Sequence, residues 1–288
     1  MATYSYDEKT NREDLTDVIV NISPTETPIQ SMIGKTKAHG TYHEFPEDEL
    51  AEAAKNAHVE GEAFKPAEVG SRARKGNHTQ IFQKGFTVTE TQQAVDKAGV
   101  SDEYAYQQLK AMKEIAKDLE FALVNNAADK AGSKTEAREM AGIPGLVKTN
   151  AISATAINST AINDALEACW KAGGEPNKLI VSGKNKRAIS AMTTSNTKNV
   201  NAKDKTLVEA VDVYDSDFGR VEVKASRFMP DDKIFVLDPS YLKLAWLRNF
   251  KKVDLPPTAD GKSGVIVGEV TLELKGEKGQ AIITLAGK

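Results

Sequence analysis

"SDEYAYQQLKAMKEIAKDLEFALVNNAADKAG", residues 101–132, carries the strongest periodic signal in this chain of 288 residues. Ser101 suits a helix N-cap, and Asp102 and Glu103 suit the positive end of the helix that follows. Ala105, Leu109, Met112, Ala116, Leu119 and Leu123 recur at alternating spacings of four and three. Lys130 and Gly132 mark the far end. The stretch therefore reads as one helix over 101–130, a rod of about 44 Å at 1.5 Å per residue. Its apolar seam is narrow, so one side packs and the rest is polar. With alanine at two of the six seam positions it would make a weak zipper. A helix lying across a sheet of the same subunit is the better reading, with Leu109, Met112, Leu119 and Leu123 as its packing residues.

Immediately upstream, "TQIFQKGFTVTETQQAV", residues 79–95, alternates Phe86, Val88 and Glu90 with Thr87, Thr89 and Thr91 and reads as a strand. Before it, residues 44–78 have hardly any large apolar side chains beyond Phe45, Leu50, Val59, Phe64 and Val69. No clean helical or strand period runs through them. A charged stretch of this length between two well-patterned elements reads as a functional arm. Its acids gather at Glu44, Glu47, Asp48, Glu49 and Glu52, with Glu60 further on, and its bases at Arg72, Arg74 and Lys75. Further upstream, "TNREDLTDVIVNI" reads as a short helix capped by Thr10 and Glu13, and "SPTETPIQSMIG" as another, with Thr27 as N-cap, Pro28 first and Gly34 as stop.

Downstream the texture changes. "NSTAINDALEACWKAGGEP" reads as a helix ended by Gly173, Gly174 and Pro176, "KLIVSG" as a buried strand and "KNKRAISAM" as a helix, an order that implies an α/β unit. Residues 193–206 are polar and read as a surface loop. A hairpin is expected with its turn around Asp215–Gly219, then strands in "KIFVLD" and "YLKLAWLRNF". The last stretch, "GVIVGEVTLELKGEKGQAIITLAG", reads as two long strands joined by a tight turn around Gly276–Gly279.

Composition narrows the function. Hydrophobic content of 40% and charged content of 27% are those of a globular domain. A formal charge of −3 argues against a dedicated nucleic-acid binder. One cysteine, Cys169, leaves no intramolecular disulfide and fits a reducing compartment. No apolar run approaches the roughly 18 residues of a membrane span, and residues 1–14 lack the pattern of a secretory signal.

The candidates for chemistry fail one by one. His39 and His43 are four apart, but Gly40, Thr41 and Tyr42 between them disfavour a helix, so no metal site is expected. "GKNK" after "LIVS" lacks the frame of a phosphate loop, and "GKSGV" around Ser263 is no nucleophile elbow. Cys169 beside Trp170 reads as a small buried side chain. The acids of the arm lack apolar neighbours that would separate their pKa values. No catalytic, cofactor-binding or metal-binding residue is assigned, and the chain is read as a non-enzyme.

The order of elements, together with "REDLTDVIVNISPTETPIQSMIG", "HVEGEAF", "RARKGNHTQIFQKGFTVTETQQAV", "QLKAMKEIAKDLEFAL", "AREMAGIPGLV", "VYDSDFGRVEV", "RFMPDD" and "GEVTLELK", resembles the major capsid proteins of tailed double-stranded DNA bacteriophages, in their SU-ten-type branch. The resemblance implies an α+β chain of the Hong Kong 97-like fold. Residues 1–36 would be an N-terminal arm, 37–78 the E-loop, 79–142 and 246–288 a peripheral domain with its spine helix, and 143–245 an α/β axial domain. It implies self-assembly into hexamers and pentamers of an icosahedral shell, with a scaffold, if there is one, as a separate protein. Portal and decoration proteins are further partners it allows. The shell would enclose double-stranded DNA without sequence-specific binding, in a virion assembled in the cytoplasm of a host bacterium.

A cellular shell of the same fold, enclosing protein cargo, is the alternative, though no cargo motif is visible. On this reading Glu47, Asp48, Glu49, Glu52, Glu60, Arg72, Arg74 and Lys75 contact a neighbouring subunit. Lys55 and Lys65 lack surroundings that would mark a crosslinking pair, so assembly is expected to be non-covalent.

Overall fold

The computed structural model describes residues 26–48, 50–51, 53–64, 72–95, 100, 102–192, 212–257 and 259–286. The expected helix at 10–22, the loop at 193–206, and Ser101, Glu49 and Glu52 lie outside the described residues. The chain begins with a short helix α1 (Pro28–Met32), strands β1 (Gly34–Lys37), β2 (Tyr42–Glu47), β3 (Ala73–His78) and β4 (Gln80–Thr89), and helices α2 (Glu90–Ala94) and α3 (Glu103–Asn125). There follow α4 (Ile143–Leu146), β5 (Ala151–Ala154), α5 (Ser159–Lys171), β6 (Lys178–Val181) and α6 (Gly183–Met192). The chain closes with β7 (Val213–Ser216), β8 (Gly219–Ala225), β9 (Lys233–Leu237), β10 (Leu242–Leu255), β11 (Gly261–Leu274) and β12 (Ala281–Leu285).

Two sheets organise these elements. A four-stranded sheet has the order β1-β10-β11-β4, with β1 parallel to β10 and the other pairs antiparallel. A six-stranded sheet has the order β5-β12-β9-β6-β8-β7. The period of two along its central strands decides how the core is divided. Leu179, Val181, Ile234, Val236 and Ile283 face a cluster with Ile162, Leu166 and Cys169 of α5 and Ile189 of α6. Ile180, Phe235, Leu237 and Ile282 face the other way, into the cluster that also holds Leu119 and Leu123 of α3. The six-stranded sheet is thus covered on both faces, and one hydrophobic core runs from it into the four-stranded sheet.

The long helix differs from its expected form. It spans 23 residues, about 35 Å, and its cap is Asp102, whose carboxylate accepts from the Ala105 N–H at 3.1 Å. It stops at Asn125, because Asn126 turns to extended backbone and its amide donates to Met140 O at 2.8 Å. Leu119 and Leu123 are buried, together with Ala111, Ile115 and Ala122. Leu109 and Met112 are not: they are 59% and 47% exposed. At about 100° per residue, these two lie to one side of the line through Ala111 and Ile115 that meets the sheet. In the second half of α3 that flank is covered by α1 and by α4, and in the first half it is bare.

Three further expectations are corrected. The strand expected over 79–95 ends at Thr89, whose side chain accepts from Gln92 N–H and starts α2. The last two strands are not a hairpin: β11 lies between β10 and β4, whereas β12 pairs with β5 and β9 in the other sheet. Gly276, at φ +71°, turns the chain between them. The buried side chain of Gln280 then fixes the crossing by accepting from Asp238 N–H at 2.7 Å and donating to Asp238 O at 3.2 Å. Consequently residues 281–285 belong to the sheet of the α/β unit, and β10 begins at Leu242, ahead of the boundary expected at 246.

Candidate inter-subunit surface

The arm has a built base and an open tip. At its base, β2 and β3 pair antiparallel from Tyr42↔His78 to Glu47↔Ala73. Tyr42 lies over Gly76, where a Cβ would meet the outer end of its ring at 2.6 Å, so a side chain at this position would push the half-exposed ring aside. Asn77 is fully buried. Its amide donates to Ala141 O and Leu272 O at 2.9 Å each, and its oxygen accepts from Ala141 N–H at 2.9 Å. One side chain thereby ties the arm to β11 and to the chain entering α4. Buried Thr79 donates to Glu269 at 2.7 Å, and that carboxylate is also held by Arg138 and by Arg248 Nη2 at 3.0 Å.

Most of the charges expected to face a neighbour are paired within this chain. Arg72 meets Asp48 at 3.2 Å, and Arg74 lies 3.8 Å from Glu44 diagonally across the hairpin. Lys75 Nζ sits 2.9 Å from both Glu47 and Glu277. Glu47 in turn accepts from Gly276 N–H at 2.9 Å. Glu60 lies on an exposed turn of the arm.

Burial alone would raise the pKa of the Glu277 carboxyl. The Lys75 ammonium and the backbone N–H groups of Lys148 and Thr149 outweigh it and push the value down to about 2. Glu273, 2.6 Å from His43 and 3.0 Å from Lys275, is lowered in the same way against its burial. Glu120 is the counter-case. It is fully buried and raised by burial, while accepting from Ile29 N–H at 2.9 Å and Gln30 N–H at 3.1 Å, in place of the side-chain cap that Thr27 does not provide. Nothing in the local sequence of Glu120, Glu269 or Glu277 announces these roles, because each partner lies far away along the chain.

The tip is different. Residues 53–64 are exposed throughout, and the one backbone bond found there among the described residues is Glu62 N–H to Val59 O at 3.0 Å. Leu50, Val59 and Phe64 are 98%, 78% and 90% exposed. Apolar side chains so fully in water, on a segment that buries nothing of its own, suit a surface completed by another molecule. Leu109 and Met112 on α3, and Val253 and Leu255 at the end of β10, are further exposed apolar side chains.

Among the described residues no three His, Cys, Asp or Glu side chains come together as metal ligands. Cys169 is buried, and burial pushes its thiol up to about 12, far from a reactive thiolate. No described helix is long and apolar enough to cross a membrane.

Comparison with known proteins agrees with the geometry. The family model described as SU10 major capsid protein matches residues 2–287. A major capsid protein of Escherichia phage Phieco32 is 35% identical over 125 residues, which is 43% of this chain and 36% of that protein's length. Among solved structures, the cyanophage A-1(L) capsid asymmetric unit superposes with a TM-score of 0.72 at 12% identity, covering 96% of this chain and 98% of that one. The capsid of a native GTA particle gives 0.71 at 11%, covering 96% of each chain. A chain of Mycobacterium phage Bobi gives 0.62 at 14%, over 100% of this chain and 96% of that one. At such identities these structures speak for the fold, which is the Hong Kong 97-like capsid fold.

Proposed function

The chain belongs to the SU10 major capsid protein family, and from that premise we infer that it is the coat subunit of a phage head, assembling with its own copies into a closed icosahedral shell around the genome. The observation that carries this reading is the arm tip, which holds Leu50, Val59 and Phe64 in water on a firmly anchored base. A subunit stabilised by heterologous contacts that close by symmetry needs such segments, since each arm lies on a neighbour that offers its own arm to the next. The tip is solvated before assembly, and its ordering cost is met by the interface it then buries.

Hexamers and pentamers, non-covalent joining, and contact of Glu60 and the arm's other acids with a neighbour belong to this reading. So do the N-terminal arm, E-loop, peripheral and axial divisions, with residues 281–285 reassigned to the axial sheet. The subunit acts structurally, without catalysis, and holds duplex DNA only weakly through few phosphate contacts. Separate scaffolding, portal and decoration proteins, and assembly in the host cytoplasm, complete the picture.

Electron microscopy of the purified protein tests it directly. Closed shells of uniform diameter are expected, and a protein that remains monomeric at high concentration and under every assembly condition would overturn the reading.

A further inference from the structure

One side of α3 is covered at one end and bare at the other. At about 100° per residue, Ala105, Leu109, Met112, Ala116 and Glu120 fall within one arc of about 80°. The far end of this strip is occupied by α1. Gln30 donates to Ala116 O at 2.7 Å, and Ile29 N–H and Gln30 N–H donate to the Glu120 carboxylate at 2.9 and 3.1 Å. The near end, Ala105, Leu109 and Met112, is exposed. Lys113, Lys117 and Lys110 fill the next arc of about 60°. None of the three makes an ion pair among the described residues. An apolar strip bordered by unpaired lysines therefore continues the α1 contact and ends in water.

The chain that leads into α1 has the matching character. Residues 10–22, which lie outside the described residues, carry Leu15, Val18, Ile19 and Ile22 at the i, i+3, i+4 and i+7 spacing of an amphipathic helix. Asp14 and Asp17 fall together on one flank of that seam, and Arg12 is the one base of the stretch. A helix over these 13 residues is marginal in water and needs a partner for its apolar side. The distance is short. Residues 23–27 reach up to about 17 Å, whereas Met112 and Leu109 lie about 6 Å and about 10 Å along the axis from Ala116.

We propose that residues 10–22 of the same chain dock as a helix on the bare strip of α3. Leu15, Val18, Ile19 and Ile22 would seat on Leu109 and Met112, with Asp14 and Asp17 toward Lys113 and Lys117. Continuity with the α1 contact selects the chain's own segment over another copy's. The contact forms in the free subunit, before any copy is met, and so does not depend on the shell reading. It is a local unit that opens ahead of the core, so its release leaves global unfolding nearly unchanged.

Paired cysteines in the full chain test the contact. Native Cys169 is fully buried and does not compete. In dilute free subunits under mild oxidation, Val18→Cys with Leu109→Cys should close an intrachain disulfide. It should form at least about tenfold faster than with Phe121→Cys, an exposed position on another side of α3. No excess over that control pair would overturn the docking, and a disulfide found only in dimers would overturn the assignment to the same chain. Hydrogen exchange gives a second reading. Residues 10–22 should exchange about fivefold faster in Lys113→Glu with Lys117→Glu than in the wild type, and adding Asp14→Lys with Asp17→Lys should restore the slower rate. Equal exchange in the wild type and the double glutamate variant would overturn the charge contact.

Discussion

The base and the tip of the arm are cut from similar sequence and meet opposite fates. Both are rich in charge and poor in large apolar residues. At the base, Lys75 is shared between Glu47 and Glu277, Asn77 is buried against two other segments, and Phe45 is 2% exposed. At the tip, Leu50, Val59 and Phe64 stand in water, uncovered by any of the described residues. The contrast recurs along α3, where Leu119 is buried and Leu109, on the same expected seam, is exposed. The subunit completes some of its surfaces and leaves others open to water, and composition alone does not separate the two kinds.

The sharpest way to break this contrast is to truncate one member of each class. Leu119→Ala removes a side chain from the core between α3 and the sheets, and urea unfolding of the free subunit should show a loss of about 2–5 kcal/mol. Unchanged stability would mean that the buried half of α3 is not holding the fold. Asn77→Ala at the arm base leaves Ala141 N–H and two carbonyls without their partner. A loss of about 1–3 kcal/mol is expected, with faster hydrogen exchange in β3.

Acid gives a graded version. The Glu277 carboxyl binds fewer protons in the folded chain, at about 2, than at its ordinary value of 4.5. Its stabilisation is therefore complete above pH 4.5 and drains away as pH falls toward 2. Melting of the wild type should decline through that window, and Glu277→Gln, which has no carboxylate to take up a proton there, should show a shallower decline. Equal slopes would remove Lys75 and Glu277 as the charged fastening of the arm.

The smallest stability effects belong to the open class. Leu109→Ala and Phe64→Ser should each leave the free subunit within about 0.5 kcal/mol of wild type. Phe64→Ser should nevertheless reduce shell yield in sedimentation, as the proposed arm contact requires. A large loss of subunit stability with Phe64→Ser would show that the tip already packs at home.

Much of this protein was legible without coordinates. The alternation through Phe86 and Val88, the helical period ending at Leu123, the hairpin at Asp215–Gly219 and the α/β order from Asn158 onward are local patterns, and local sterics and solvation impose them wherever the chain goes. The scarcity of core-forming side chains beyond Phe45 in residues 44–64 was equally visible, since a segment with little to bury cannot found a core.

What only the tertiary structure decided is which local element meets which. Two strands separated by a glycine-rich turn look like a hairpin, yet Gln280 and Asp238 send β12 into the second sheet. A seam at spacings of four and three marks an apolar face, yet α1 and α4 cover only half of it. Glu120, Glu269 and Glu277 look like ordinary surface acids, yet amides and cations from distant segments converge on them. The physical reason is the same in each case. Periodicity records the energy a residue gains by lying on a buried face, whereas the partner on that face is chosen by long-range packing and hydrogen bonding that no window of sequence contains.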